Sequence, residues 1–216
     1  MLPLKEAVVF VDKCTGYRWI YGMKTKDQMI NVVRRWYNNI ADLRTKHRLV
    51  VIVRDNAGEN KSQGVKEFFE SKGIQNHFST AREQGQNGPA EATINAIMLI
   101  ARTIMAESGL GGRFWFRAAA AGIGARNATS KARIGTTPHH LMYGEKKDVS
   151  GFQAFGCRAW VYIDPQCRAK GKHTPRAEVA IYVGFAINTS AWSFFVPERQ
   201  KIVTTNQVKF SQHYYG

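Results

Sequence analysis

Asp55 and Glu91 are the two residues whose types and placement could do chemistry together, with 35 residues between them. Asp55 closes the apolar run Leu49–Val53, which reads as a buried strand. Glu91 lies in QNGPAEATINAI, in the first turn of a helix predicted to start at Gly88-Pro89, where Pro takes its favoured first position. A carboxylate at a strand's carboxyl end and another at a helix start can meet at one metal site. Two-metal phosphoryl transfer needs that pairing. The bland alternative for Glu91 is a capping-box residue. The segment Thr80–Gly88 between the two is a long polar loop, expected to be mobile, with Gly85 and Gly88 flanking Gln86 and Asn87.

The elements that must hold these residues follow from periodicity. Glu6–Asp12 and Tyr17–Met23 read as a hairpin around Lys13-Cys14-Thr15-Gly16. An amphipathic helix is predicted from Lys26 to about Lys46, with Met29, Val32, Val33, Trp36, Ile40 and Leu43 on one face. Trp36 is expected in the core. After the Asp55 strand come a helix near Gln63–Lys72 stopped by Gly73 and a strand over Ile74–Phe78. The Glu91 helix should bury Ile94, Ile97, Met98, Ala101, Ile104 and Met105. Further helices are expected over Gly112–Asn127 and Pro138–Tyr143. The polar stretch Gly144–Gly151 is the expected boundary, giving domains 1–145 and 151–216. Beyond it lie short strands at Cys157–Ile163, Glu178–Phe185, Trp192–Val196 and Ile202–Phe210, the pattern of a small barrel.

Composition narrows the classes. The chain has 216 residues, 44% of them hydrophobic, with 31 Lys+Arg against 16 Asp+Glu, a formal charge of +15. Such a balance favours a polyanionic partner, nucleic acid before membrane. Cys14, Cys157 and Cys167 are odd in number and lack paired spacing, which implies neither a disulfide framework nor a zinc module. No apolar run approaches the ~18 residues of a membrane span, and no signal peptide precedes the start. A reduced, intracellular setting is expected.

The words RDNAGEN, QNGPAE, LIARTIMAESGL and FWFRAA, with TTPHHLMYG and FQAFGCRAWVYI further on, resemble the integrase region of Copia-type LTR retrotransposon Pol polyproteins. The resemblance runs over nearly the whole chain. It implies an α/β fold: a ribonuclease H-like core, its mixed sheet flanked by helices, followed by a small β-rich SH3-like barrel. It implies DNA integration by 3′ processing and strand transfer, with Asp55 and Glu91 as catalytic and metal-binding residues and Mg²⁺ or Mn²⁺ as the ion. Hard oxygen donors agree with that ion choice. Gln86, Asn87 and Gly88 become candidate DNA contacts, as do the basic residues Arg168, Lys170, Lys172 and Arg176. The implied partners are element ends and target duplex in the nucleus, with homo-oligomers and no membrane.

One departure from the pattern matters. The family's core opens with three strands before its first helix, and its first catalytic Asp lies on the first of them. Here two strands precede the helix, so the stretch around Asp12 corresponds to the second strand, where an Asp holds no metal. Asp12 is then a turn former beside Thr15-Gly16 and the weakest of three candidate carboxylates. The expectation is an N-terminally truncated core with an incomplete Asp-Asp-Glu triad, inactive or weakened alone. Its sheet would be left with unpaired edges or forced into direct pairing across the gap. Two readings compete: a host-retained DNA-binding or assembly module without catalysis, and an active metal-dependent integrase or nuclease using Asp12.

Overall fold

The computed structural model describes residues 4–42, 49–54, 63–78, 84–130, 135–164, 166, 173–186 and 191–211. Two compact units emerge: Met1–Met98 with Ile123–Lys147, and Leu99–Gly122 with Asp148–Gly216.

The first unit opens with an antiparallel hairpin, β1 (Glu6–Val11) and β2 (Arg18–Met23), in register from Glu6 opposite Met23 to Val11 opposite Arg18. Its turn is built by side-chain chemistry. Asp12 Oδ2 accepts from Thr15 N at 2.6 Å and Thr15 Oγ1 at 2.7 Å, and Gly16 takes φ 70° where a Cβ would be strained. A single 3₁₀ turn, Lys26–Gln28, leads into α1 (Met29–Asp42). The helix turns Met29, Val32, Val33 and Trp36 inward, and the Trp36 ring stacks on Phe10 at 4.1 Å. The expected continuation towards Lys46 falls outside the described residues. Next come β3 (Val51–Arg54), α2 (Gln63–Ser71) and β4 (Gln75–Phe78), with β3 and β4 parallel. Gly73 at φ 66° ends α2: its N–H donates to Glu70 O, while Ile74 N donates to Phe69 O.

One hydrophobic cluster joins these elements, centred on Met23, Val33, Trp36, Val65, Phe69 and Ile74. Side-chain bonding adds Asn39 Nδ2 of α1 donating to the Tyr21 hydroxyl of β2 at 2.9 Å, but no backbone ladder among the described residues joins the two strand pairs. Among the described residues β1–β2 and β3–β4 are two separate two-stranded sheets. Of the two outcomes expected for the strand gap, direct pairing of the two ladders is not seen among the described residues. This also corrects the expectation of a fully buried β3. Only the face carrying Ile52 and Arg54 packs inward, and Val51 and Val53 on the other face are 39% and 36% exposed. A continuous apolar run is compatible with burial on both faces, but burial needs neighbours on both sides, and β3 has one.

α3 (Gln84–Ser108) is longer than expected, beginning ahead of Gly88-Pro89. The early turns, Gln84-Gly85-Gln86-Asn87-Gly88, hold two Gly and an Asn, so intrinsic propensity does not explain the extension. Its fully buried side chains include Thr93, Ile97 and Ala101, a stripe at i, i+4 and i+8, while Ile94 is exposed. Ile94 therefore does not join the buried face assigned to it from the sequence. α5 (Pro138–Tyr143) shows how local the code can be. Thr137 caps it by accepting from His140 N at 3.0 Å, Pro138 opens it, and Gly144 at φ 79° closes it.

The second unit is built around five antiparallel strands: β5 (Arg158–Tyr162), β6 (Ala177–Phe185), β7 (Trp192–Val196), β8 (Lys201–Thr205) and β9 (Val208–Phe210). Their order is β8-β7-β6-β5-β9. The segment expected as one strand over Ile202–Phe210 is thus two, broken at Asn206-Gln207. Because β8 and β9 flank opposite ends of the sheet yet are two residues apart, the sheet must curl until its ends nearly meet. Ala159, Val161, Ala180, Tyr182, Phe194 and Val196 fill the inside. The same unit takes in Leu99–Gly122. Phe114 lies edge-on to Phe195 at 5.0 Å, and Arg113 caps both rings and donates to Gln200 Oε1 at 3.0 Å. α4 (Trp115–Ala128) approaches α3 through Gly122, where a Cβ would fall 2.4 Å from an Ile100 methyl. No helix among the described residues is long and apolar enough to cross a membrane.

Candidate functional site

The residues flanking the predicted site are laid out by the β3–β4 ladder. Arg54 pairs in register with Phe78, so both parallel strands end level, and Asp55 is the next residue after β3. Such carboxyl ends are where open α/β sheets gather ligands. Five residues separate Phe78 from Gln84, so α3 is also entered from this end, and Glu91 is its eighth residue. Asp55 itself and the side chain of Glu91 lie outside the described residues.

Immediately before Asp55, Arg54 is buried, and its guanidinium lies over the Phe69 ring at 5.6 Å. That cation–π arrangement lets a charged residue end a strand inside the core. Behind it, the Asn76 amide on β4 has both its nitrogen and its oxygen buried without a hydrogen-bond partner among the described residues.

Asp12 is fully described, and its Oδ2 is committed to Thr15 in the hairpin turn. Turn formation accounts for that carboxylate without a metal. Among the described residues no group of three or more His, Cys, Asp or Glu side chains is gathered as a metal site.

Gln86, Asn87 and Gly88 were expected in a mobile loop; their backbone is instead the first turns of α3. Glu91 accordingly lies two turns into the helix rather than in its first turn, which removes the capping-box explanation. Arg168, Lys170 and Lys172 fall outside the described residues. Arg176 is exposed just before β6, and its carbonyl accepts from Ile163 N at 2.9 Å, extending the β5–β6 ladder.

A second polar cluster, unmarked in the sequence, ties the hairpin to the helices. The Asn127 amide donates to Arg18 O at 2.8 Å and accepts from Arg18 N at 3.1 Å, replacing a strand at the end of β2. Tyr17 packs edge-on to Tyr143 at 5.3 Å, and burial pushes both phenols upward in pKa. Burial, reinforced by the Arg126 charge, lowers the Arg18 pKa. The cluster fixes the hairpin: its groups are two phenols, the Asn127 amide and the Arg18 and Arg126 guanidiniums, with the His139 ring 4.7 Å from Tyr143 and 6.1 Å from Tyr17.

Residues 157–215 match the retroviral polymerase SH3-like domain. The chain is 24% identical over 211 residues to the retrovirus-related Pol polyprotein from transposon TNT 1-94 of Nicotiana tabacum, which covers 96% of this chain and 16% of that relative. It is 21% identical over 207 residues to the corresponding polyprotein from transposon RE1 of Arabidopsis thaliana, covering 95% of this chain and 14% of that one. The chain therefore spans about a sixth or less of the curated relatives it matches. Among solved structures, a chain of the simian T-cell lymphotropic virus intasome in complex with PP2A regulatory subunit B56 gamma aligns with a TM-score of 0.51. That alignment covers 95% of this chain and 72% of the other at 14% identity.

Proposed function

From an integrase-type core followed by an SH3-like region, the architecture this chain has, we propose that it is a DNA-integration module of a retrotransposon Pol polyprotein. The carrying observation is the match across 96% of the chain to such a polyprotein, combined with a parallel β3–β4 ladder whose first strand ends one residue before Asp55 in the sequence. Integration is phosphoryl transfer, and Asp55 and Glu91 are the residues to hold Mg²⁺ or Mn²⁺. When bound, such ions stabilise the entering and leaving oxygens of the in-line displacement.

The chain's own contribution is placement. Asp55 follows a strand whose register is pinned by β4, and Glu91 rides on a helix of 25 residues. A helix holds a ligand more closely than a loop does, and Asp55 lies one residue past the end of β3 in the sequence. Acidic ligands and hard cations fit each other. Asp12 is not the third ligand, because its carboxylate serves the turn. These 216 residues then supply two of the three carboxylates, and strand transfer by them alone is weak or absent. Misplacing a reacting group by ~1 Å can already cost on the order of a hundredfold. The +15 charge supports duplex binding through phosphates, and assembly with further copies on DNA in the nucleus belongs to the same reading.

The test gives the 216-residue chain labelled element-end DNA with Mg²⁺, alongside Glu91→Gln and Asp12→Asn. Salt-sensitive duplex binding without Glu91-dependent joining is the expected result. Log affinity should fall with log salt by about 0.9 per phosphate neutralised. Robust joining lost in both variants would instead establish the active enzyme that uses Asp12. No duplex binding even at low salt would defeat the DNA reading altogether.

A further inference from the structure

The barrel presents one face that its own core does not use. Along β5, Ala159 and Val161 point inward and are buried, leaving Arg158, Trp160 and Tyr162 outward. Trp160 is 40% and Tyr162 43% exposed. Register puts Lys209 of β9 on one side of Trp160 and Val179 of β6 on the other. Both neighbours are exposed as well. Two residues apart on a strand, Trp160 and Tyr162 stand ~7 Å from each other, and the row from Lys209 to Val179 spans ~10 Å.

The charge on this face has one sign. The outward positions of β5, β6 and β9 carry Arg158 and Lys209 and no carboxylate. On β6, Glu178 alternates to the other side and is paired with Arg199, and Asp164, two residues past Tyr162 and beyond the end of β5, accepts from Gln166 N at 2.8 Å. Cations beside exposed rings favour a polyanion over an acidic-poor protein surface. The rings then choose between forms of nucleic acid. A duplex offers phosphates but hides its base faces in the stack, so an indole gains little from it. An unpaired strand offers both phosphates and π-faces.

We infer that the outward β9-β5-β6 face of the barrel binds unpaired nucleic acid, with bases stacking on Trp160 and Tyr162 and phosphates meeting Arg158 and Lys209. This rests on the reading of the chain as a DNA-integration module and adds where, and in which form, the strand is held.

The test uses the full 216-residue chain with a fluorescent 20-nucleotide oligo(dT) and with a 20-base-pair duplex, at several salt concentrations. Trp160→Ala should weaken oligo(dT) binding about tenfold or more, while duplex affinity changes less than about threefold. Trp160→Phe should retain most of the affinity, since a ring remains. The double variant Arg158→Gln, Lys209→Gln should reduce the salt slope for oligo(dT) by about 0.7 per charge removed. Unchanged oligo(dT) binding by Trp160→Ala overturns the inference, as does an equal loss on both substrates. A change in sedimentation without a change in oligo(dT) affinity overturns it too, identifying a contact between copies. If the unmutated chain binds neither substrate, the integration reading fails as well; normal duplex binding with a silent Trp160→Ala defeats this inference alone.

Discussion

The two sheets of the α/β unit and the single sheet of the barrel solve the same problem differently. In the barrel every strand from β5 to β7 has two neighbours, and the terminal strands β8 and β9 are drawn round towards each other. In the α/β unit β1, β2, β3 and β4 each have one partner strand among the described residues, and a shared hydrophobic cluster packs the two ladders together. Apolar packing is non-directional and tolerates a break in the sheet. Backbone pairing is directional and leaves exposed valines where it stops. The difference teaches that one chain can combine a sheet drawn round on itself with strand pairs held to a core by side-chain packing rather than by a shared ladder among the described residues.

The largest effect should come from truncating equivalent apolar residues in the two sheets. Phe194→Ala removes a fully buried barrel side chain and should cost about 3–5 kcal/mol. Val51→Ala, on the open face of β3, should cost under about 0.5 kcal/mol. Denaturant midpoints of both variants check this. Comparable losses would show that the open face is covered in solution.

Gly156 probes the link between the barrel and the helical segment in its unit. It adopts φ 88°, and a Cβ there would fall 2.3 Å from the Ser108 Cβ. Gly156→Ala should lower stability by about 2–4 kcal/mol through strain and overpacking together, read from the same denaturant curves. A near-neutral result would mean that Ser108 and its helix end move away freely.

Asn76 should respond with the opposite sign. Replacing its unpartnered amide by an apolar β-branched group removes a buried polar cost and suits a strand. Asn76→Val should raise the thermal midpoint, by about 1–2 kcal/mol of stability. A loss would reveal that the amide is satisfied by ordered water.

Cysteine reactivity offers the mildest comparison. Burial pushes the Cys157 thiol up to about 11, whereas Cys14 is exposed in the hairpin turn. Because the folded barrel holds the Cys157 proton more tightly than the unfolded chain does, its contribution to stability is full below pH 9. It declines as pH rises from 9 through 11. At pH 8, iodoacetamide with mass mapping should label Cys14 well before Cys157. Equal rates would mean that the barrel opens readily.

How much was legible depended on how local the signal was. The stop at Gly73, the helix over Pro138–Tyr143 and the Asp12 turn were readable because each is fixed by a few adjacent residues, whereas the Thr137 cap and the Gly144 stop emerged only from the structure. Trp36 was readable as core from helical spacing alone. The burial of β3 was misread because an apolar run does not reveal how many neighbours a strand will have. The start of α3 was misjudged because Pro89 marks a favourable first position, not a compulsory one, and because Gly85, Asn87 and Gly88 ahead of it give no propensity signal for a helix. The break at Asn206-Gln207 carries no Gly or Pro, so only the demand that β9 reach β5 exposes it. For the site, the sequence named Asp55 and Glu91, and the fold adds the level ends of β3 and β4. The outward ring pair on β5 was hidden in a strand recognised only as a strand: alternation says which residues share a face, and tertiary packing says which face is left open.

That corner at Asn206-Gln207 also sets a schedule. β5 has one edge on β6 and waits for β9 on the other, and Phe210 packs against the barrel core from that last strand. During synthesis, Arg158–Tyr162 emerges about fifty residues before Val208–Phe210, the partner it needs. Pairings so distant in sequence form slowly and leave edges exposed meanwhile. The barrel is thus completed from its far end, and a ribosome that stalled before Phe210 would present an open sheet with Trp160 beside its unpaired edge.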